Sequence, residues 1–205
     1  MIYTMSTPKP VQLGLCCLNI TMRKQKPTVF SSRSVILRTL EEKGFSVLKE
    51  KIIQNLKDTI QLIEWNEAHG IRVFRLSSNL FPHFSNPKAE DYPINFALPL
   101  LKAIGDKAKE YNHRITFHPG QYNVVGTPNK KMFQQTIRDL SYHADMLDYM
   151  GMGKDSVMVV HGGGMYGDKE LTKIRWCDQY AELPDEVRER LVLENCEKCF
   201  SIEDC

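Results

Sequence analysis

Residues 156–164 read Ser156-Val157-Met158-Val159-Val160-His161-Gly162-Gly163-Gly164. Four apolar side chains in succession are too short a run for a helix and fit a strand buried on both faces. A side chain able to ligate a metal stands at the carboxyl end of that strand. The glycines after it let backbone and ligand approach closely. Upstream lies the amphipathic stretch Lys130 to Met150, stopped by Gly151, and downstream the helical stretch Asp168 to Tyr180. A strand between two helices is one turn of a right-handed βαβ winding.

Worked outward, the same unit recurs. Val11 to Cys17 is a first strand. Ser46 to His69 carries Leu48, Ile52, Leu56, Ile60 and Ile63 on one helical stripe, with Ser46 as N-cap and Gly70 as stop. Ile71 to Leu76 is a second strand, Phe96 to Tyr111 a helix, Arg114 to His118 a third strand, and Arg190 to Glu194 a fifth. Strand starts recur at roughly 40-residue spacing, the rhythm of a doubly wound sheet or a (β/α) barrel. Ser201-Ile202-Glu203-Asp204 has the Ser-x-x-acid form of a further helix start. The expected organisation is a flexible N-terminus over 1–10 and one domain over 11–205.

Composition sets the class. Of 205 residues, 42% are hydrophobic and 25% charged, so the chain is a globular one and not a disordered or collagen-like one. No apolar run is long enough for a membrane helix. Met1 to Pro10 lacks the apolar core of a secretion signal, so an intracellular place, cytoplasm or nucleus, is expected, with the six cysteines reduced. The net charge of +2 is unevenly spread: Thr21 to Phe45 holds six basic side chains against Glu41 and Glu42. A basic first strand-to-helix loop on the face of the site can contact phosphates.

In parallel α/β folds the active site forms at the carboxyl ends of the strands. Strand three ends at His118, in His118-Pro119-Gly120-Gln121-Tyr122. Strand four ends at His161 and strand five at Glu194, in Leu193-Glu194-Asn195. Adjacent strands lie about 4.8 Å apart, so the three tips can meet at one ion. Two imidazoles and a carboxylate suit manganese, iron or zinc better than calcium.

These stretches, together with Leu13-Gly14, Asn19, Phe74-Arg75, Pro82 and Tyr166-Gly167-Asp168-Lys169, resemble the ultraviolet damage endonucleases, relatives of endonuclease IV. The resemblance runs from about Val11 to the end. It implies a TIM barrel holding two or three divalent ions, usually manganese with zinc as the alternative. It implies a DNA repair endonuclease that nicks double-stranded damaged DNA immediately 5′ to a photoproduct or other distorting lesion. On that resemblance His118, His161 and Glu194 are catalytic metal ligands, with Glu194 bridging two ions. Gln121, Tyr122 and Asn19 probe the lesion.

The sequence departs from the family in places. Leu15 stands where an aromatic is usual, and Asn86 stands where a Ser-His-Pro run has histidine, with His83 three residues earlier. Five strands cannot close an eight-stranded barrel. The expected fold is therefore an incomplete α/β, TIM-barrel-like (β/α) unit of about five parallel strands with intervening helices. The alternative functions are an inactive or partner-dependent fragment that binds metal or DNA, with a second chain supplying the missing strands, and a barrel sugar isomerase. His161-Gly162-Gly163-Gly164 also looks like a lipase oxyanion motif, but no Gly-x-Ser-x-Gly elbow follows. Cys196-x-x-Cys199 is a single pair, short of the paired spacing of structural zinc. His69, His113 and His143 are expected on the surface.

Overall fold

A computed structural model describes residues 11–196 and 198–205; the N-terminal segment 1–10 lies outside the described residues. Five parallel strands form one sheet: β1 (Gly14–Cys16), β2 (Val73–Leu76), β3 (Arg114–Phe117), β4 (Met158–His161) and β5 (Leu191–Glu194). Their order in space is their order in sequence, β1-β2-β3-β4-β5. That order decides between the two architectures left open by the strand rhythm. Right-handed crossovers that always step the same way place every helix on one side of the sheet. A doubly wound sheet must reverse direction once, and this one does not. The fold is a TIM-barrel-like α/β unit whose sheet stays open, with β1 and β5 as its edges.

The helices are α1 (Ile20–Arg23), α2 (Leu37–Lys43), α3 (Phe45–Ala68), α4 (Leu98–Glu110), α5 (Lys130–Tyr149), α6 (Lys169–Ala181) and α7 (Asp185–Arg188). Asn129 caps α5 by accepting from the backbone N–H of Lys131 and Met132 at 3.0 and 3.1 Å, and Asp168 caps α6 through Leu171 N–H at 2.9 Å. Among the described residues no helix is long and apolar enough to cross a membrane.

Several expectations are corrected. β1 is three residues long, not seven. Ser46 does not cap α3; Gly44, at φ +70°, precedes Phe45, and the Ser46 hydroxyl donates to Lys43 O instead. The basic loop is folded: it builds α1 and α2, and Arg33 pairs with Asp58 of α3 at 2.6 Å while its backbone N–H and C=O are both held by Asn55. Asn55 and Asp58 are buried polar residues of α3 that explain this docking, since each finds its partner there. Arg38 pairs with Glu42. Among the described residues Arg23, Lys24, Lys26 and Lys43 have no ion pair; Arg23 lies over the Phe30 ring, 5.1 Å from its centroid, and the three lysines are free for other partners. His113 and His143 are buried, not on the surface. Residues 202–204 form a turn in which Asp204 accepts from Ser201 N–H at 2.7 Å and pairs with Lys169 at 2.5 Å.

Candidate metal centre

Strand register orders the side chains before any contact is considered. Arg75 pairs with Thr116, Phe117 with Met158, and His161 with Glu194. Paired residues in a parallel sheet point to the same face, and the face alternates along each strand. Counting in twos places Arg75, Thr116, His118, His161 and Glu194 on one face. Phe74, Leu76, Ile115, Phe117, Met158 and Val160 fall on the other, and all six are buried in the main hydrophobic core. The helix-covered face holds the fold, and the opposite face carries the polar groups.

At the carboxyl ends of β3, β4 and β5 the three chosen side chains meet. One ligand atom from each of His118, His161 and Glu194 lies within 4.8 Å of the others. His118 Nε2 is 2.7 Å from Glu194 Oε2, and His161 Nδ1 is 3.6 Å from the same oxygen. The two rings stand edge to face, 4.8 Å apart. His118 Nδ1 faces Pro119 O at 3.2 Å, so the Nε2 side of the ring is the one turned to the carboxylate. The hydrogen bond from His118 holds the Glu194 carboxyl below the usual carboxylate range. Partial burial opposes that shift, and His118, His161 and Arg75 reinforce it by charge. An ionised carboxylate beside two imidazoles is a donor set that fits a divalent transition metal.

Because imidazole must lose a proton to ligate, a cation bound here competes with protons. Glu194, with its lowered value, stays ionised through the same range. Affinity for a divalent ion is therefore expected to fall as the pH falls, with protons released on binding. Titration calorimetry in buffers of different ionisation enthalpy measures that release, and a pH-independent affinity would contradict the site.

Asn19 occupies the loop after β1. It is 5% exposed, and its side-chain oxygen caps α1 by accepting from Met22 N–H at 2.9 Å. Its Nδ2 is buried without a hydrogen-bond partner among the described residues. Gln121 and Tyr122 form the apex of a turn after β3 closed by Asn123 N–H to Gly120 O at 2.9 Å. Both are exposed, Tyr122 at 80%. His83 does not join the metal group. Its Nε2–H donates to Val35 O at 2.6 Å, and its Nδ1 accepts from Asn86 at 3.2 Å.

Two residues were not singled out by the sequence reading. Arg75, on the polar face, was quoted only as part of a motif. Its guanidinium adds to the lowering of Glu194 and opposes the rise that burial imposes on the Cys17 thiol, and its Nε is buried without a partner among the described residues. A charged residue amid Val73, Phe74 and Leu76 was the available signal. Gly163 is the second, at φ +86° in the left-handed region, where a Cβ would run into Val124 Cγ1. The loop after β4 thereby packs onto the loop after β3, next to the Gln121–Tyr122 turn. Gly163→Ala is expected to cost about 2 kcal/mol through overpacking and a left-handed backbone. Urea denaturation reads this directly.

The sequence matches the UV-endonuclease UvdE family over residues 11–205. A putative UV-damage endonuclease of Acanthamoeba polyphaga mimivirus is 42% identical over 198 residues, covering 95% of this chain and 59% of that protein. The UV-damage endonuclease of Schizosaccharomyces pombe is 40% identical over 197 residues, covering 94% of this chain and 33% of its own. The crystal structure of SacUVDE superposes with a TM-score of 0.84 at 32% identity, covering 96% of this chain and 64% of that one. The chain thus spans less than two thirds of the length of each of these relatives.

Proposed function

The chain belongs to the UV-endonuclease UvdE family, and from that premise we propose that it carries out DNA repair by metal-dependent nicking of damaged duplex DNA on the 5′ side of the lesion. The convergence of His118, His161 and Glu194 at three neighbouring strand ends is the observation that carries the reading. Those three residues would hold the metal, with manganese the first candidate and zinc the second. A bound divalent ion supplies charge stabilisation and an activated water for phosphodiester hydrolysis.

The chain's own groups do the rest. Arg75 offers a fixed positive charge on the same face to an incoming phosphodiester. Lys24, Lys26 and Lys43 hold the backbone of the duplex through salt-dependent contacts. Gln121 and Tyr122 enter the duplex, which opens more cheaply where a lesion has already weakened stacking. Asn19, through its free Nδ2, is assigned to the lesion side of the first loop. This device selects by deformability and needs no base-specific contact.

The test is nicking of ultraviolet-irradiated, end-labelled duplex by the purified chain, with manganese and with a chelator. Manganese-dependent breaks on the 5′ side of photoproducts are expected, and nicking no greater than that of Glu194→Gln overturns the reading. Tyr122→Ala is expected to reduce the preference for irradiated over intact duplex about 10-fold, since stacking on an aromatic contributes roughly 1–3 kcal/mol per base. Equal preference in parent and variant removes the wedge role.

One observation favours a second, partner-dependent reading. β5 is a sheet edge, and its Val192 is exposed. An apolar edge strand is a surface for further strands. On that reading the chain binds metal and DNA but nicks only with a second chain supplying those strands. Metal-dependent binding without nicking would distinguish it. A sugar isomerase draws no support from the relatives named above, each of which is called a UV-damage endonuclease or UVDE.

A further inference from the structure

The Gln121–Tyr122 turn has no packing of its own at its apex. Both side chains project into solvent, so the direction in which they point is set at the base of the turn. There the side chain of Asn123, itself buried, donates to Gly120 O at 3.0 Å and to Asp139 Oδ2 at 2.6 Å. Asp139 belongs to α5, and its side chain is 16% exposed. Its other carboxylate oxygen accepts from the hydroxyl of Ser85, in the loop after β2. Its backbone oxygen faces Nδ1 of the buried His143 at 2.7 Å. Gln135, one turn earlier on α5, donates to Ser85 O. One carboxylate therefore ties the loops after β2 and β3 to the same face of a long, capped helix.

We infer that Asp139 is a positioning residue for damage selection: it aims the Gln121–Tyr122 turn by holding Asn123 and Ser85 on α5. The inference rests on the proposed lesion-probing role of that turn. The physical reason is that a wedge discriminates only if it is already ordered. A loose turn has to be immobilised on binding, and that cost falls on damaged and intact duplex alike while the fit to the damaged one is lost. Asp139 touches neither the metal group nor the reacting bond, so it acts through Asn123.

The hydrogen-bond inventory separates this role from an electrostatic one. Asn123 and Ser85 both donate to the carboxylate, while His143 Nδ1, 3.5 Å from Oδ2, is held by the Asp139 backbone oxygen at 2.7 Å. An amide in its place accepts from Asn123 through oxygen and donates to the Ser85 hydroxyl, which is able to accept. Asp139→Asn therefore keeps both ties and loses only the charge. Asp139→Leu fills similar space and loses both. Asn123→Ala cuts the same link from the turn's side and leaves α5 untouched.

The experiment uses the full chain and two readouts. Hydrogen exchange followed by mass spectrometry compares peptides across 119–125 with peptides of α3. Fluorescence anisotropy compares affinity for irradiated and intact duplex. For Asp139→Leu and Asn123→Ala, exchange across 119–125 is expected to speed up about 10-fold with α3 unchanged, and the affinity ratio to fall about 10-fold. Asp139→Asn is expected to stay within about twofold of the parent on both, as its retained hydrogen bonds require. Unchanged exchange in the turn, or a loosened turn with the ratio intact, overturns the proposal. So does an Asp139→Asn variant as impaired as Asp139→Leu. A parent protein that binds both duplexes equally overturns the substrate reading instead, and the exchange data then still decide whether Asp139 holds the turn.

Discussion

Glu194→Gln is expected to lower the affinity for manganese by at least about 100-fold and to reduce nicking to background. Glu194 is the one anionic member of the three-residue group. Even outer partners of metal ligands cost roughly 10–100-fold when removed, so loss of a charged ligand is expected at or beyond that limit. Glutamine keeps the size of the side chain and a carbonyl oxygen for His118, so the change isolates the charge. That charge is present in the protein as it stands, because the His118 hydrogen bond favours the ionised carboxylate. The fold does not depend on it: the side chain is partly exposed at the rim of the sheet and lies on the face away from the core. Thermal unfolding in chelator should therefore match the parent. Duplex binding should persist, since the free lysines of the first loop are untouched. Parent-like manganese affinity, read by calorimetry or by loss of the free-ion resonance, would remove Glu194 from the site and with it the reason for placing an ion there.

The candidate site was legible because each of its three side chains ends an apolar run. His118, His161 and Glu194 follow stretches that are strands on hydrophobicity alone, and the rule that parallel sheets gather function at their carboxyl ends does the rest. What could not be read was register. The assignment of Arg75 to the same face as His118, His161 and Glu194 needs the pairs Arg75–Thr116 and Phe117–Met158. No linear pattern within one strand contains them. Sheet order was out of reach of the strand rhythm alone, so the choice of barrel over doubly wound winding came from the family resemblance, and the order β1-β2-β3-β4-β5 bears it out.

The misplaced histidines are a different kind of failure, since a signal was present. On α5 the buried positions include Thr136, Leu140, His143, Ala144 and Leu147. His143 falls three residues after Leu140 and four before Leu147, squarely on the apolar stripe. At this position helical phase outweighs side-chain polarity. Burial pushes the His143 ring's proton affinity down, and its Nδ1 is held by the carbonyl of Asp139. It is a core histidine with a partner. The first loop failed for a third reason. Arg33 is one of the six basic side chains in a loop expected to contact phosphates, but Asp58 and Asn55, which hold it, lie more than twenty residues away on α3. Such a pairing is visible only once both segments are packed.

Arg190 carries the second large effect. The sequence placed it at the start of β5, where a charged side chain would ordinarily reach solvent. It is instead 1% exposed and first among the largest fully buried side chains. Its guanidinium donates to the carbonyls of Gly153, Ser156 and Met152 at 2.6, 3.0 and 3.0 Å and pairs with Asp148 at 2.5 Å. One side chain immediately before β5 thus satisfies three carbonyls of the turn between α5 and β4. Its own backbone oxygen accepts from Met158 N–H at 2.7 Å, which starts the β4–β5 ladder. Arg190→Met keeps most of the stem volume and deletes every donor. Each buried carbonyl left unpaired costs roughly 1–3 kcal/mol, partly recovered by water, so a loss of about 3–4 kcal/mol is expected in urea denaturation with the slope unchanged. Lysine at this position brings three donors without the planar fork and should recover only part of that loss. Native-state manganese affinity should stay within about threefold of the parent, because losses of roughly 10–100-fold require contact with the metal-holding side chains and Arg190 sits at the opposite end of β5 from Glu194. A large fall in metal affinity without a fall in stability would mean that β5 is held from its carboxyl end, and that Arg190 is part of the site and not of its foundation.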